Sequence, residues 1–124
     1  MSVRNYTGAR IGIINPATPG ARYAVVEWHD CVGAARIVNA PPQPVTYIGQ
    51  TPVYPSGICT DFTKRVEDLP LRASGVWYIV TVQVAEQLKG TRDDLLKPST
   101  PLFRTTEVEG GVGGDIYCTG LQRV

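Results

Sequence analysis

One stretch constrains this chain more than any other: Gly75–Glu86, which reads Gly-Val-Trp-Tyr-Ile-Val-Thr-Val-Gln-Val-Ala-Glu. In an extended backbone Val76, Tyr78, Val80, Val82 and Val84 share one face, and Trp77, Ile79, Thr81, Gln83 and Ala85 share the other, because successive side chains alternate sides. The first face is wholly apolar, and the second is apolar only as far as Ile79. The pattern predicts a central strand, covered on both faces at its start and emerging into solvent near Gln83. The density of β-branched residues argues against a helix here. Trp77 and Tyr78, with Trp28 on another expected strand, read as core.

A chain of 124 residues is long enough to bury one core without disulfides or metals. Ten prolines and thirteen glycines, mostly outside the central strand, imply many turns and extended connections. The expected fold class is α+β and β-dominated: a single small, mostly antiparallel sheet domain with one short helix and long Pro/Gly-rich connections. A net charge of +1 supplies no field of the kind that nucleic-acid binders use, so direct nucleic-acid recognition is not expected. No run approaches the ~18 apolar residues of a membrane span, and Met1–Tyr6 lacks a secretory core. The protein is expected to stay where it is made. Cys31, Cys59 and Cys118 are odd in number and widely spaced, which points to reduced thiols and not to a disulfide framework or zinc knuckle.

Along the chain, residues 1–20 read as an N-terminal arm. Its one β-like run is Ala9–Ile14, broken by Asn15-Pro-Ala-Thr-Pro-Gly. Residues 21–124 form the domain proper. Ala21–Trp28 alternates as a strand, and Asp30 is placed to cap a short helix over Cys31–Ala40, which ends at Pro41-Pro42. Prolines at 41, 42, 44, 52 and 55 exclude a central strand from Pro41–Gly57, while Val45–Ile48 suits a short edge strand. So long a connection is commonly functional or ordered by a partner, and Tyr47, Ile48, Val53 and Tyr54 make this one apolar. Gly57–Leu69 reads as a strand forming an antiparallel hairpin with the central one. Thr91–Leu96 resembles a capped helical turn, Pro101–Val108 a strand, Gly110–Gly114 a flexible loop and Asp115–Cys118 a last short strand.

Few residues invite chemistry. His29-Asp30-Cys31 brings a base, a carboxylate and a nucleophile together in sequence, and a thiol at a helix N-terminus is easier to ionise. Adjacent residues, however, seldom converge on one reacting atom. Gly110–Gly114 lacks the Lys-Ser or Lys-Thr of a phosphate loop. The carboxylate pairs Asp93/Asp94 and Glu107/Glu109 could in principle hold a hard cation or do acid–base work, but Glu107 and Glu109, on one strand face beside a glycine loop, read as a solvated edge. Lys64, Arg65 and Arg72 alternate with Glu67 and Asp68 in the manner of a solvated, salt-bridged connection. No catalytic residue, metal or cofactor is expected; a small cysteine-dependent enzyme using Cys31 and His29 is the catalytic alternative.

Three segments between Thr60 and Glu107, a little under half of the chain, carry a family resemblance. They are Arg65-Val-Glu-Asp-Leu-Pro-Leu, Gly75-Val-Trp-Tyr-Ile-Val-Thr-Val-Gln-Val, and Pro101-Leu-Phe-Arg-Thr-Thr-Glu. The pattern resembles small virion structural proteins of tailed bacteriophages, of the head-to-tail connector, neck and tail kind. The resemblance implies a non-catalytic subunit, made in the host cytoplasm and located in the virion, that forms a homo-oligomeric ring or layer with neighbouring virion proteins. A capsid cement or decoration protein fits the same features. Candidate intersubunit contacts are Tyr6, Ile11, Ile13 and Ile14 on the arm, which could add to a neighbour's sheet edge or equally pair within its own sheet, and Tyr47, Ile48, Val53 and Tyr54 on the Pro-rich connection, whose side chains on the plainer reading simply cover the home sheet.

Overall fold

A computed structural model describes residues 1–17, 22–40, 44–54 and 63–124. In chain order its strands are β1 (Ser2–Asn5), β2 (Ile11–Ile14), β3 (Val25–His29), β4 (Arg36–Ala40), β5 (Thr46–Ile48), β6 (Thr51–Val53), β7 (Thr63–Glu67), β8 (Val76–Ile79), β9 (Leu95–Pro98), β10 (Ile116–Cys118) and β11 (Leu121–Arg123). Helix α1 (Val82–Leu88) lies between β8 and β9, and a single 3-10 turn spans Thr105–Glu107. The domain is thus β-dominated with one short α-helix among the described residues, as its composition indicates. The expected single sheet is divided into four small ones, in the orders β1-β8-β9-β11, β10-β2-β3, β4-β7 and β5-β6.

β8 is central, as its double apolar face requires, but it runs parallel to both neighbours, β1 and β9. Parallel neighbours need a crossover of a dozen or so residues, usually helical, and the segment from Val80 to Asp94 provides it. The predicted strand therefore stops at Ile79, and its second half is α1. Thr81 caps that helix: its Oγ1 accepts a hydrogen bond from the Val84 N–H at 3.3 Å. Ala85, Glu86, Gln87 and Leu88 are strong helix formers, and Val84, Ala85 and Leu88 present one helical face to the core. The valines at 80, 82 and 84 satisfy a two-residue period as far as Val84, which is why the strand pattern looks longer than the strand.

Tyr78 and Ile79 point to opposite faces of β8 and so enter different cores. Tyr78 joins Ala35, Val80, Val84, Ala85 and Leu95 beneath α1. Ile79 meets Ile11 and Cys118 on the far side, where β2 and β10 cover the sheet. Ile14, Val108 and Tyr117 continue that layer. Of the three aromatics expected in the core only Tyr78 is buried. Trp77 is half-buried under the Arg123 guanidinium, 5.3 Å from its ring centre, and Trp28 is exposed on β3.

The segment expected to form an arm is woven into both main sheets. β1 pairs with β8 from Ser2↔Val76 to Asn5↔Ile79, and β2 lies between β10 and β3. The boundary drawn at residue 20 therefore separates nothing that folds apart. Asn5 is the joint between the two sheets. Its buried side chain donates to the carbonyls of Ala9 (2.7 Å) and His29 (3.0 Å) and accepts from the Thr7 N–H and Oγ1.

The helix expected over Cys31–Ala40 is absent. Residues 31–35 run extended beside residues 5–8, with bridges at Asn5↔Cys31 and Thr7↔Ala34, and Arg36–Ala40 is β4. Gly33 suits this path, since a Cβ there would lie 2.7 Å from the Tyr6 ring. β4 is the partner that β7 takes, antiparallel from Arg36↔Glu67 to Ala40↔Thr63, in place of the expected β7–β8 hairpin. Asp68, at φ 64°, and Pro70 turn the chain away after β7. Of the strand expected over Gly57–Leu69, the part before Thr63 lies outside the described residues.

Two further expectations fail locally. Thr91 ends α1, its hydroxyl donating to the Leu88 carbonyl at 2.7 Å, and no helical turn follows before β9. Pro101–Val108 is irregular: Phe103 bridges Tyr117, the 3-10 turn follows with Glu107 accepting from the Arg104 N–H, and Val108 bridges Tyr23. Strands near Val25–His29 and at Ile116–Cys118 agree with the sequence pattern.

Candidate assembly surface

β5 and β6 form a hairpin that pairs with no other strand among the described residues. Gly49 and Gln50 make the two-residue loop, closed by Ile48↔Thr51, and Gly49 sits at φ 63°. Glycine first in a two-residue loop is the signature of a II′-type hairpin turn, whose twist matches the flanking strands. Pro52, opposite Tyr47, has no N–H to offer, and a two-stranded hairpin leaves each strand a free side for it. The local sequence thus folds Thr46–Val53 into a hairpin whose first strand lies where the edge strand was expected.

The hairpin leaves apolar side chains uncovered. Val45, Tyr47 and Ile48 are 66%, 61% and 74% exposed, whereas Val53 and Tyr54 are half-buried. No charged residue occurs from Pro44 to Tyr54, in a chain with 12 basic and 11 acidic residues. An exposed, uncharged, β-paired tip is the composition that protein contacts use and that a solitary soluble domain avoids. The other four candidate contacts are committed to the home fold: Ile11 and Ile14 are buried, Ile13 is half-buried, and the Tyr6 ring meets Tyr78 edge-on at 5.6 Å.

A second apolar feature lies at the start of α1. Val82, Pro98, Leu102 and Ile116 wall a pocket of about 210 Å³ to which no charged side chain contributes. Val82 and Leu102, at its rim, are 40% and 53% exposed. The sequence gives no sign of it, because its walls come from α1, β9, β10 and the segment between the last two.

The polar constellations make local hydrogen bonds and ion pairs. Cys31 is exposed, its thiol donating to the Gly33 carbonyl at 3.1 Å. His29, half-buried at the end of β3, lies 3.8 Å from Glu27. With no helix behind Cys31, the reason for expecting an activated thiol there disappears. Cys118 is fully buried, and burial pushes its thiol pKa up; Cys59 lies outside the described residues. Asp94 is held by Arg92 through two hydrogen bonds of 2.9 and 2.6 Å, with the guanidinium also donating to the Pro70 carbonyl. This hydrogen bonding, opposed by desolvation, draws the Asp94 carboxyl below its ordinary pKa. Asp93 pairs with Arg72 at 3.1 Å, and Glu107 completes the 3-10 turn's cap. Arg10 stacks 3.8 Å over Trp28 while donating to Asp115 at 2.8 Å, and that hydrogen bond raises its pKa.

A cleft of about 670 Å³ near Arg72, Arg92 and Arg123 is the roomiest concavity among those described. Two of its guanidiniums are neutralised by the neighbouring aspartates and the third lies over Trp77. Among the described residues no group of three or more His, Cys, Asp or Glu is arranged to hold a metal ion, and no helix is long and apolar enough to cross a membrane. No protein family, curated protein or solved structure matches the chain.

Proposed function

We propose that this protein is a non-catalytic structural subunit of a tailed-phage virion, assembling with copies of itself and with neighbouring virion proteins at the neck, tail or head-tail junction. The single observation that supports the assembly reading is the β5–β6 hairpin, which leaves Val45, Tyr47 and Ile48 exposed and pairs with no other strand among the described residues. Fully burying a valine or isoleucine side chain is worth about 1.5–3 kcal/mol, a driving force that contact with a second molecule would collect. The resemblance of the Arg65–Leu71, Gly75–Val84 and Pro101–Glu107 segments to virion proteins supplies the setting.

Size-exclusion chromatography with light scattering, followed by negative-stain imaging of the peak, tests the reading. Concentration-dependent association into a closed ring or layer is the expected result. A chain that stays monomeric at every concentration would overturn self-assembly. A monomer that binds only to preformed capsids would move the assignment to a cement or decoration protein.

A further inference from the structure

The hairpin tip and the pocket beside α1 are both free of charged residues, and they are built from different residues of one chain. Resting on the assembly reading above, we infer that the β5–β6 tip of one subunit, led by Ile48 and Tyr47, inserts into the Val82–Pro98–Leu102–Ile116 pocket of a second copy, joining subunits head to tail.

Three observations carry this. The first is size: an apolar cavity of about 150 Å³ takes up a benzene molecule, so about 210 Å³ admits one large aliphatic or aromatic side chain. The second is charge. The pocket has no charged lining residue and the tip has none from Pro44 to Tyr54, so the contact desolvates no ion, which is the costly event at interfaces. The third is that both partners are uncovered at home: Ile48 and Tyr47 on one side, Val82 and Leu102 on the other. A knob and a hole at different places on the same chain make a heterologous contact, which closes into a ring when the rotation between copies permits and otherwise runs on as a filament.

Two variants test it. Ile48→Asp spoils the knob. Val82→Glu spoils the hole while placing a carboxylate at the first residue of α1, where the helix dipole favours it. Each is measured alone and mixed by light scattering, with circular-dichroism melting to verify the fold. The expected result is that the wild type associates, each variant alone is monomeric with association weakened at least tenfold, and the mixture forms a one-to-one complex that grows no further. That complex pairs the intact knob of Val82→Glu with the intact hole of Ile48→Asp. Should either variant unfold, Ile48→Ser and Leu102→Ser take their places, removing apolar contact without adding charge. Association of the Val82→Glu chain at wild-type strength overturns the inference in favour of a hairpin-to-hairpin contact. A mixture that remains monomeric also overturns it, and both results leave the assembly reading standing. A wild type that never associates overturns both.

Discussion

Removing the Arg92 guanidinium strands a carboxylate. Asp94 is buried, its side chain 6% exposed against 18% for Arg92, and breaking a fully buried pair costs about 3–5 kcal/mol. With one partner partly wet, Arg92→Leu should cost about 2–3 kcal/mol, measurable by urea unfolding. The pH dependence has a definite sign. Asp94 titrates lower in the folded chain than in the unfolded one, so its contribution is present in full above the unfolded carboxyl pKa of about 3.9. It fades as pH falls through the folded value. Wild type should therefore lose stability below about pH 4, and Arg92→Leu should show a flatter acid limb. The thiols give a second test at this scale. A maleimide applied to the native protein should label Cys31 and spare Cys118, whose burial both shields it and disfavours its thiolate. Equal labelling of the two, read by peptide mass spectrometry, would contradict the buried placement of β10.

Helix α1 owes its start to one hydroxyl. Thr81→Ala should cost about 1 kcal/mol, and Val80→Ala, at a fully buried position, about 2–3 kcal/mol. Trp77→Ala should cost less than its size suggests, about 1–2 kcal/mol, because the ring is only half-buried. Equal losses for Val80→Ala and Trp77→Ala in thermal melts would put the tryptophan back in the core. Much of this element was legible: the double apolar face of Val76–Ile79 announces a central strand, and the central strand is there. Its end was not, because Val80, Val82 and Val84 fit a strand, whereas the Thr81 cap and the parallel crossover to β9 make Val82 and Val84 helical. The misread helix over Cys31–Ala40 fails for the converse reason. Its alanines favour a helix locally, but backbone partners in β1 and β7, distant in sequence, take the segment as an extended chain.

At the scale of the molecule, the chain's ends are tied to its far parts. β1 pairs with β8 and β2 pairs with β10, both parallel, and no local pattern reports such pairings. This is why the first residues read as an arm. Deleting residues 1–15 removes a strand from each main sheet together with Asn5, Ile11 and Ile14, so an unfolded product is expected. A cooperative thermal transition in the deleted chain would restore the detachable arm. Half of the candidate surface was likewise visible: Tyr47 and Ile48 stand out as apolar residues in a Pro-rich connection, whereas the pocket draws its walls from four places and exists only once the chain is folded. The β2–β10 pairing has a consequence for synthesis. Ile11 can meet Ile79 and Cys118 together only after β10 has been synthesised, and pairings of such long separation form slowly. Unlike the locally paired hairpin tip, the pocket, with Ile116 in its wall, is completed only once β10 has been made and has folded. A partly synthesised chain can therefore present the hairpin tip but not the pocket.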